Sequence, residues 1–191
     1  MKTMKNTFKL SMALLAFVAV FAMVFTGCKK NDSSNDNGGG GGGGNEPGTY
    51  GKVTYGDKSF NIVAGVYYID YDDELQADYL AIALADRIDG SDSTKLFAVA
   101  IPFYSEMTTG SFNYVLQPAQ DGDCMGAILA DDELIATSGR AIITESGDRY
   151  KIMSHGYMLD YATLDSVSFS VNFLGPLVAE EPIAKIPFAK K

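Results

Sequence analysis

Apolar and polar residues alternate strictly near the end of the chain, in residues 166–173. The sequence there is Ser-Val-Ser-Phe-Ser-Val-Asn-Phe, and its apolar members fall on one face: Val167, Phe169, Val171 and Phe173. A strand of this kind packs its apolar face on a core and leaves the other face in water. The pattern therefore predicts a half-buried β-strand.

The same alternation recurs through most of residues 49–191. It is visible at Leu80, Ile82 and Leu84, at Phe97, Val99, Ile101 and Phe103, and in segments 50–55, 60–69, 140–144 and 150–154. Turn-forming residues at 56–57, 89–91 and 146–148 lie between these segments and predict antiparallel hairpins. Residues 124–136 fit either a short helix or two strands, and no long stretch has helical periodicity.

These segments predict one all-β domain over residues 49–191, with eight to ten short strands at regular spacing. We favour an antiparallel β-sandwich, and a lipocalin-like β-barrel is the alternative. The closing residues contain three prolines, which predict an irregular or edge segment: Pro176, Pro182 and Pro187.

The start of the chain has a different pattern. Three lysines and no acid in the first nine residues precede an apolar run from Leu10 to Phe25 that only Ser11 interrupts. This run spans 16 residues, whereas a permanent membrane helix needs ~20. Residues 1–27 are therefore predicted to be a cleaved export signal.

The run ends in Phe25-Thr26-Gly27-Cys28, with small residues directly before a cysteine. This sequence resembles the lipobox of bacterial lipoproteins, although Phe25 stands where the family most often has leucine. The resemblance implies that diacylglycerol is attached to the Cys28 thiol and that a peptidase cuts before Cys28. The protein would then reach a membrane through its lipid anchor.

Residues 28–48 are polar and include seven consecutive glycines, residues 38–44. Without large apolar side chains such a segment cannot offset its chain entropy, so we expect a disordered tether. A cysteine followed by acids, here Asp32 and Asp36, and then a flexible linker resembles the surface lipoproteins of Bacteroides-type bacteria. That resemblance implies an outer-membrane location on the cell surface, with the periplasmic face as the alternative.

Charge excludes one class of partner. Cleavage before Cys28 removes three of the 15 basic residues and none of the 24 acids, which leaves 12 against 24 and a formal charge of −12. Nucleic acid is not expected as a partner, because its binding needs a basic face.

The sequence shows no catalytic machinery, and we predict that the protein is not an enzyme. Cys124 is the only thiol besides Cys28, and His155 is the only histidine. The acids Asp121 and Asp123 beside Cys124 would raise its pKa, so we expect an inert cysteine. No Gly-x-Ser-x-Gly nucleophile motif occurs.

One group of acids and aromatic residues is a candidate contact site: Tyr68, Asp70, Tyr71, Asp72 and Asp73. Aromatic faces beside carboxylates suit a glycan or protein ligand, and carboxylate oxygens suit a weak Ca²⁺ site. The spacing is not that of an EF-hand, and no cofactor is predicted. The favoured function is a non-enzymatic binding module, and the alternatives are a lipocalin-like carrier of an apolar ligand and an extracellular hydrolase.

Overall fold

The computed structural model describes residues 49–72, 76–87 and 94–180, so the predicted signal and tether lie outside the described residues. The described ranges hold eleven strands and no helix. In chain order the strands are β1 Gly51–Tyr55, β2 Lys58–Ile62, β3 Ala64–Asp72, β4 Ala77–Ala85, β5 Leu96–Pro102, β6 Gly110–Tyr114, β7 Asp123–Leu129, β8 Glu133–Ser146, β9 Arg149–Asp160, β10 Ser166–Gly175 and β11 Val178–Ala179. The predicted all-β class is confirmed. In these ranges no helix is long and apolar enough to cross a membrane.

All eleven strands belong to one hydrogen-bonded sheet, in the order β11-β3-β4-β5-β7-β6-β8-β9-β10-β1-β2. Neighbouring strands are antiparallel except for β11 beside β3 and β6 beside β7, so the sheet is mixed. Strand β7 also pairs with the start of β8, which leaves β6 as a short insertion between them. Strands β3, β4 and β5 form one meander and strands β8, β9 and β10 form another, while β1 closes onto β10.

The sheet curls because two of its strands are parts of one bent stretch of chain. Only Val63 separates β2 from β3, and its N–H donates to the Ala85 carbonyl at 2.8 Å. The first half of this stretch pairs with β1 and the second half with β4. The strands therefore circle one core, and this curl is compatible with the barrel alternative of the sequence analysis.

Large apolar side chains fill the inside of the curl. Phe169, Val171 and Phe173 of β10 are at most 4 % exposed, as the alternation predicted. The Phe97 and Tyr114 rings meet the Phe169 ring with centroids 6.2 and 5.5 Å apart. The central part of this interior is therefore packed with aromatic rings.

The structure corrects the expected end of one strand and resolves one segment that the sequence left ambiguous. Phe103 was predicted to continue the alternation of β5, but the strand ends at Pro102, and Phe103 turns outward with φ +69° and is 39 % exposed. That prediction is wrong because the positive φ of Phe103 ends the extended backbone there, although its N–H still donates to the Asp78 carbonyl of β4 at 2.7 Å. The ambiguous segment 124–136 forms two strands, parts of β7 and β8.

Candidate functional site

The outer face of β3, β4 and β5 carries an apolar surface that we call the alanine patch. Its members are Val66, Ala81, Ala83, Ala85, Leu96, Ala98 and Ala100, and each is at most 5 % exposed. Strands β4 and β5 are apolar on both faces, which is the sequence signature of a strand covered on both sides. Large side chains point into the core from these strands, and mostly small ones point outward.

A pair of tyrosines borders the alanine patch. The Tyr68 and Tyr79 rings meet edge to face with centroids 6.1 Å apart, and their hydroxyls share a hydrogen bond. Burial raises the pKa of Tyr68 well above its ordinary value and raises that of Tyr79 as well. Both hydroxyls therefore stay protonated at physiological pH and act as neutral hydrogen-bonding groups.

Two carboxylates lie beside these tyrosines. Asp70 is paired in register with Tyr79 across the β3–β4 hairpin, and the charges of Asp70 and Asp72 act to raise the Tyr79 pKa. An Asp70 Oδ1 atom accepts the Tyr71 N–H at 2.8 Å, which fixes the carboxylate orientation. We call the four side chains of Tyr68, Asp70, Asp72 and Tyr79 the tyrosine–aspartate cluster.

The structure brings together three of the five residues that the sequence singled out. Tyr68, Asp70 and Asp72 alternate along β3 and share its outer face. Tyr71 points to the opposite face, where it is 42 % exposed, and Asp73 lies outside the described residues. Sequence reasoning missed Tyr79, whose signal is its place opposite Asp70 in the hairpin register.

A calcium site gains no geometric support from the described residues. Within residues 49–72, 76–87 and 94–180, no three His, Cys, Asp or Glu side chains come together as metal ligands. Two acids between β7 and β8 are paired with cations: Asp132 with Lys58, and Asp131 with Lys95 at 3.1 Å. These ion pairs lie at the end of the curled sheet opposite the tyrosine–aspartate cluster.

Tyr55 points toward these ion pairs from inside the core. It is 2 % exposed, and its hydroxyl has no hydrogen-bond partner among the described atoms. Burial raises the pKa of Tyr55. By smaller amounts, the charges of the nearby lysines lower this pKa and those of the nearby aspartates raise it. Tyr55 therefore lies at this end of the core, and the two ion pairs lie near it at the solvent-exposed surface.

Cys124 and His155 lie on opposite sides of the sheet. The Cys124 side chain is 0 % exposed in the core, whereas His155 is exposed on the outer face of β9, next to the buried Ser154. Burial, followed by the charge of Asp123, raises the pKa of the Cys124 thiol far above its ordinary value. A cysteine–histidine pair for nucleophilic catalysis is therefore not formed.

Cys124 is expected to react with a maleimide only after unfolding. A thiol with a raised pKa holds almost no thiolate at pH 7, and its burial excludes the reagent. Labelling followed by mass spectrometry should give no adduct at Cys124 in the native chain and a complete adduct in guanidinium chloride. Rapid native labelling at this position would contradict the buried placement.

Comparison with known proteins adds no relative: no family model, no curated protein and no solved structure matches this chain.

Proposed function

We propose that this protein is a lipoprotein of the outer membrane that presents a non-enzymatic binding domain at the cell surface. The observation that carries the proposal is Gly27-Cys28, placed directly after the apolar run that ends at Phe25. Diacylglycerol on the Cys28 thiol would hold the chain in the membrane, since each buried CH₂ contributes ~0.8 kcal/mol.

The segment after the anchor suits a spacer. Residues 29–48 contain no large apolar side chain, and a Gly-rich coil of about 20 residues has an end-to-end distance of roughly 25 Å. This distance would let the β-domain turn and reach a partner in front of the membrane. The formal charge of −12 would keep the domain away from anionic headgroups.

A binding role is supported over catalysis by the described chemistry. The buried, protonated thiol of Cys124 is separated from His155 by the sheet, and the acids Asp131 and Asp132 are engaged by lysines. The packed aromatic interior argues against a carrier that holds its ligand inside the curl. These observations favour recognition through the outer surface.

The tyrosine–aspartate cluster is the surface that we propose for this recognition. It offers two aromatic rings whose hydroxyls stay neutral, beside two carboxylates, on a hairpin held by a nine-pair register. Sugar hydroxyls donate well to carboxylates, and apolar sugar faces pack on aromatic rings. A glycan or a peptide with hydroxyl or basic groups fits this chemistry.

An array of glycans and peptides, probed with the full chain in detergent, tests this surface. Asp70→Asn keeps the size of the side chain and removes its charge, so we expect about tenfold weaker binding of any ligand found, because hydrogen bonds to charged groups contribute about 1.5–3 kcal/mol. Asp57→Asn, in the exposed β1–β2 turn, is the matched control and should bind as the wild type does. Equal binding by both variants would contradict a site at the cluster.

A further inference from the structure

The outer face of β8, β9 and β10 differs in charge from the chain as a whole. Its side chains are those of every second residue in 138–146, 149–157 and 166–174, and we call them the basic face. The ionisable members of this face are all basic: Arg140, Arg149, Lys151 and His155. No Asp or Glu occupies any of these positions, although the chain has 24 acids against 15 basic residues. The negative net charge therefore hides a local excess of positive charge.

Strand pairing places the basic side chains next to one another. Arg140 of β8 is paired in register with His155 of β9, and such partners have Cβ atoms about 4.5–5.5 Å apart. Lys151 lies further along the same face of β9. The Arg149 guanidinium donates a hydrogen bond to the Leu174 carbonyl, so it reaches across toward β10. Positive charge is thus spread over all three strands.

Two of these charges have no carboxylate beside them in the described protein. Arg140 and Lys151 are exposed, and the ion pairs of residues 49–72, 76–87 and 94–180 belong to other cations. The acids nearest to them in the chain lie off the face, because Glu145 alternates to the other side of β8 and Asp148 belongs to the β8–β9 turn. An anionic partner would complement these two cations.

Hydroxyl groups and one aromatic ring lie beside the cations. Strand β10 presents Ser166, Ser168 and Ser170 outward, and all three are exposed. Tyr157 of β9 is the register partner of Ser168 and is 56 % exposed. An accessible ring packs well on the apolar face of a sugar, and serine hydroxyls both donate to and accept from sugar hydroxyls. These groups favour a carbohydrate over an anion that offers charge alone.

The basic face has the dimensions of a binding strip for an extended polymer. Nine residues of β9 in extended form span about 26 Å, and two strand spacings from β8 to β10 amount to about 10 Å. A strip of this length can contact several sugar units of one chain. Contacts repeated along a polymer strengthen its binding without a deep cavity.

We propose that the basic face binds an anionic polysaccharide whose sugar rings carry carboxylate groups. Arg140 and Lys151 pair with the carboxylates, the serines of β10 bond to sugar hydroxyls, and the Tyr157 ring packs on a sugar face. This surface is separate from the tyrosine–aspartate cluster on β3 and β4, and its chemistry does not depend on the lipid anchor. The domain then carries two binding surfaces of opposite charge, each with its own class of ligand.

Titration of the full chain in detergent with polygalacturonate, which carries a carboxylate on every sugar, tests the proposal. Arg140→Gln combined with Lys151→Gln should weaken binding roughly tenfold or more, because charge-assisted hydrogen bonds are about twice as strong as neutral ones. Lys58→Gln combined with Lys95→Gln is the matched control, since it removes the same charge from two cations outside the face. It should change binding less than about twofold, because salt screens charges at that distance.

Two further comparisons separate sugar contacts from charge alone. Tyr157→Ala should weaken polygalacturonate binding several-fold, whereas Tyr157→Phe keeps the ring and should bind as the wild type does. Polyphosphate, which has negative charge but no sugar rings, should bind more weakly than polygalacturonate. Asp70→Asn should leave this binding unchanged, because Asp70 belongs to the tyrosine–aspartate cluster. Protection of Cys124 from a maleimide shows that each variant remains folded.

Three results would overturn the proposal: no binding of polygalacturonate, equal weakening by the two double variants, or equally tight binding of polyphosphate. The first would remove the ligand class, the second would leave only the net charge of the chain, and the third would leave a surface for any anion. Membrane anchoring through Cys28 and recognition by the tyrosine–aspartate cluster are measured separately, so their failure is distinguishable from a failure of the basic face.

Discussion

Cys28→Ala is expected to release the protein from the membrane fraction. The only chemical link that we propose between chain and bilayer is the thioether of this residue. Two acyl chains of about 16 carbons each hold a protein stably, at ~0.8 kcal/mol for each buried CH₂, whereas the polar residues 29–48 contribute no comparable term. Loss of the thiol should therefore remove incorporation of a fatty-acid analogue and move the protein into the soluble fraction or block its processing.

Cys124→Ala is the matched control for this experiment because it removes the other cysteine. Its side chain is buried in the core, so the variant should remain in the membrane fraction and keep the fatty-acid label. A signal that remains uncleaved would be visible as a higher mass of the Cys28→Ala chain. Unchanged membrane retention together with unchanged labelling of Cys28→Ala would refute the lipid anchor.

Gly139→Ala is expected to destabilise the domain by about 3–4 kcal/mol. Gly139 and Gly156 face each other between β8 and β9, beside the irregularity at Ala136 and Ser138. A Cβ atom on Gly139 would lie 2.1 Å from the His155 carbonyl oxygen, and one on Gly156 would lie 2.0 Å from that of Ser138. Both glycines also have positive φ, +120° and +154°, which side chains rarely adopt.

Thermal unfolding measures this effect, with an expected fall in Tm of roughly 10–15 °C for Gly139→Ala. Gly147→Ala is the matched control, since Gly147 has φ +65° in the β8–β9 turn and nothing within 4 Å of an added Cβ. It keeps the backbone strain and omits the collision, so its cost should be about 1–2 kcal/mol. Equal Tm values for the two variants would show that β8 and β9 do not approach this closely.

Alternation along single strands could be predicted from the sequence, since it depends only on which residues face the core. The inward faces of β4 and β10 agree with this pattern, from Leu80 to Leu84 and from Phe169 to Phe173. The bend at Val63 could not be predicted, because residues 60–69 look like one strand and their change of partner depends on distant chain segments. The end of β5 could not be predicted either, because the alternation gives no sign of the positive φ at Phe103.

Only part of the candidate site could be predicted from the sequence. Tyr68, Asp70 and Asp72 could be grouped because they are neighbours in the chain, but Tyr79 joins them through hairpin register. That register is set by a turn whose length the alternation pattern does not fix. The apolar outer face formed by the alanines of β4 and β5 was not predicted. A small residue between large ones gives no clear signal in a pattern that contrasts apolar with polar side chains.

The pairing of β1 with β10 has a consequence for the time at which the protein folds. Val53 near the start of the domain is the partner of Val171 near its end, so the circle of strands cannot form until almost the whole domain has been synthesised. Contacts between residues so far apart in the chain are formed slowly, after local hairpins. We therefore expect the emerging polypeptide to stay unfolded for long enough to be threaded through a translocation channel, as the export that we propose would require.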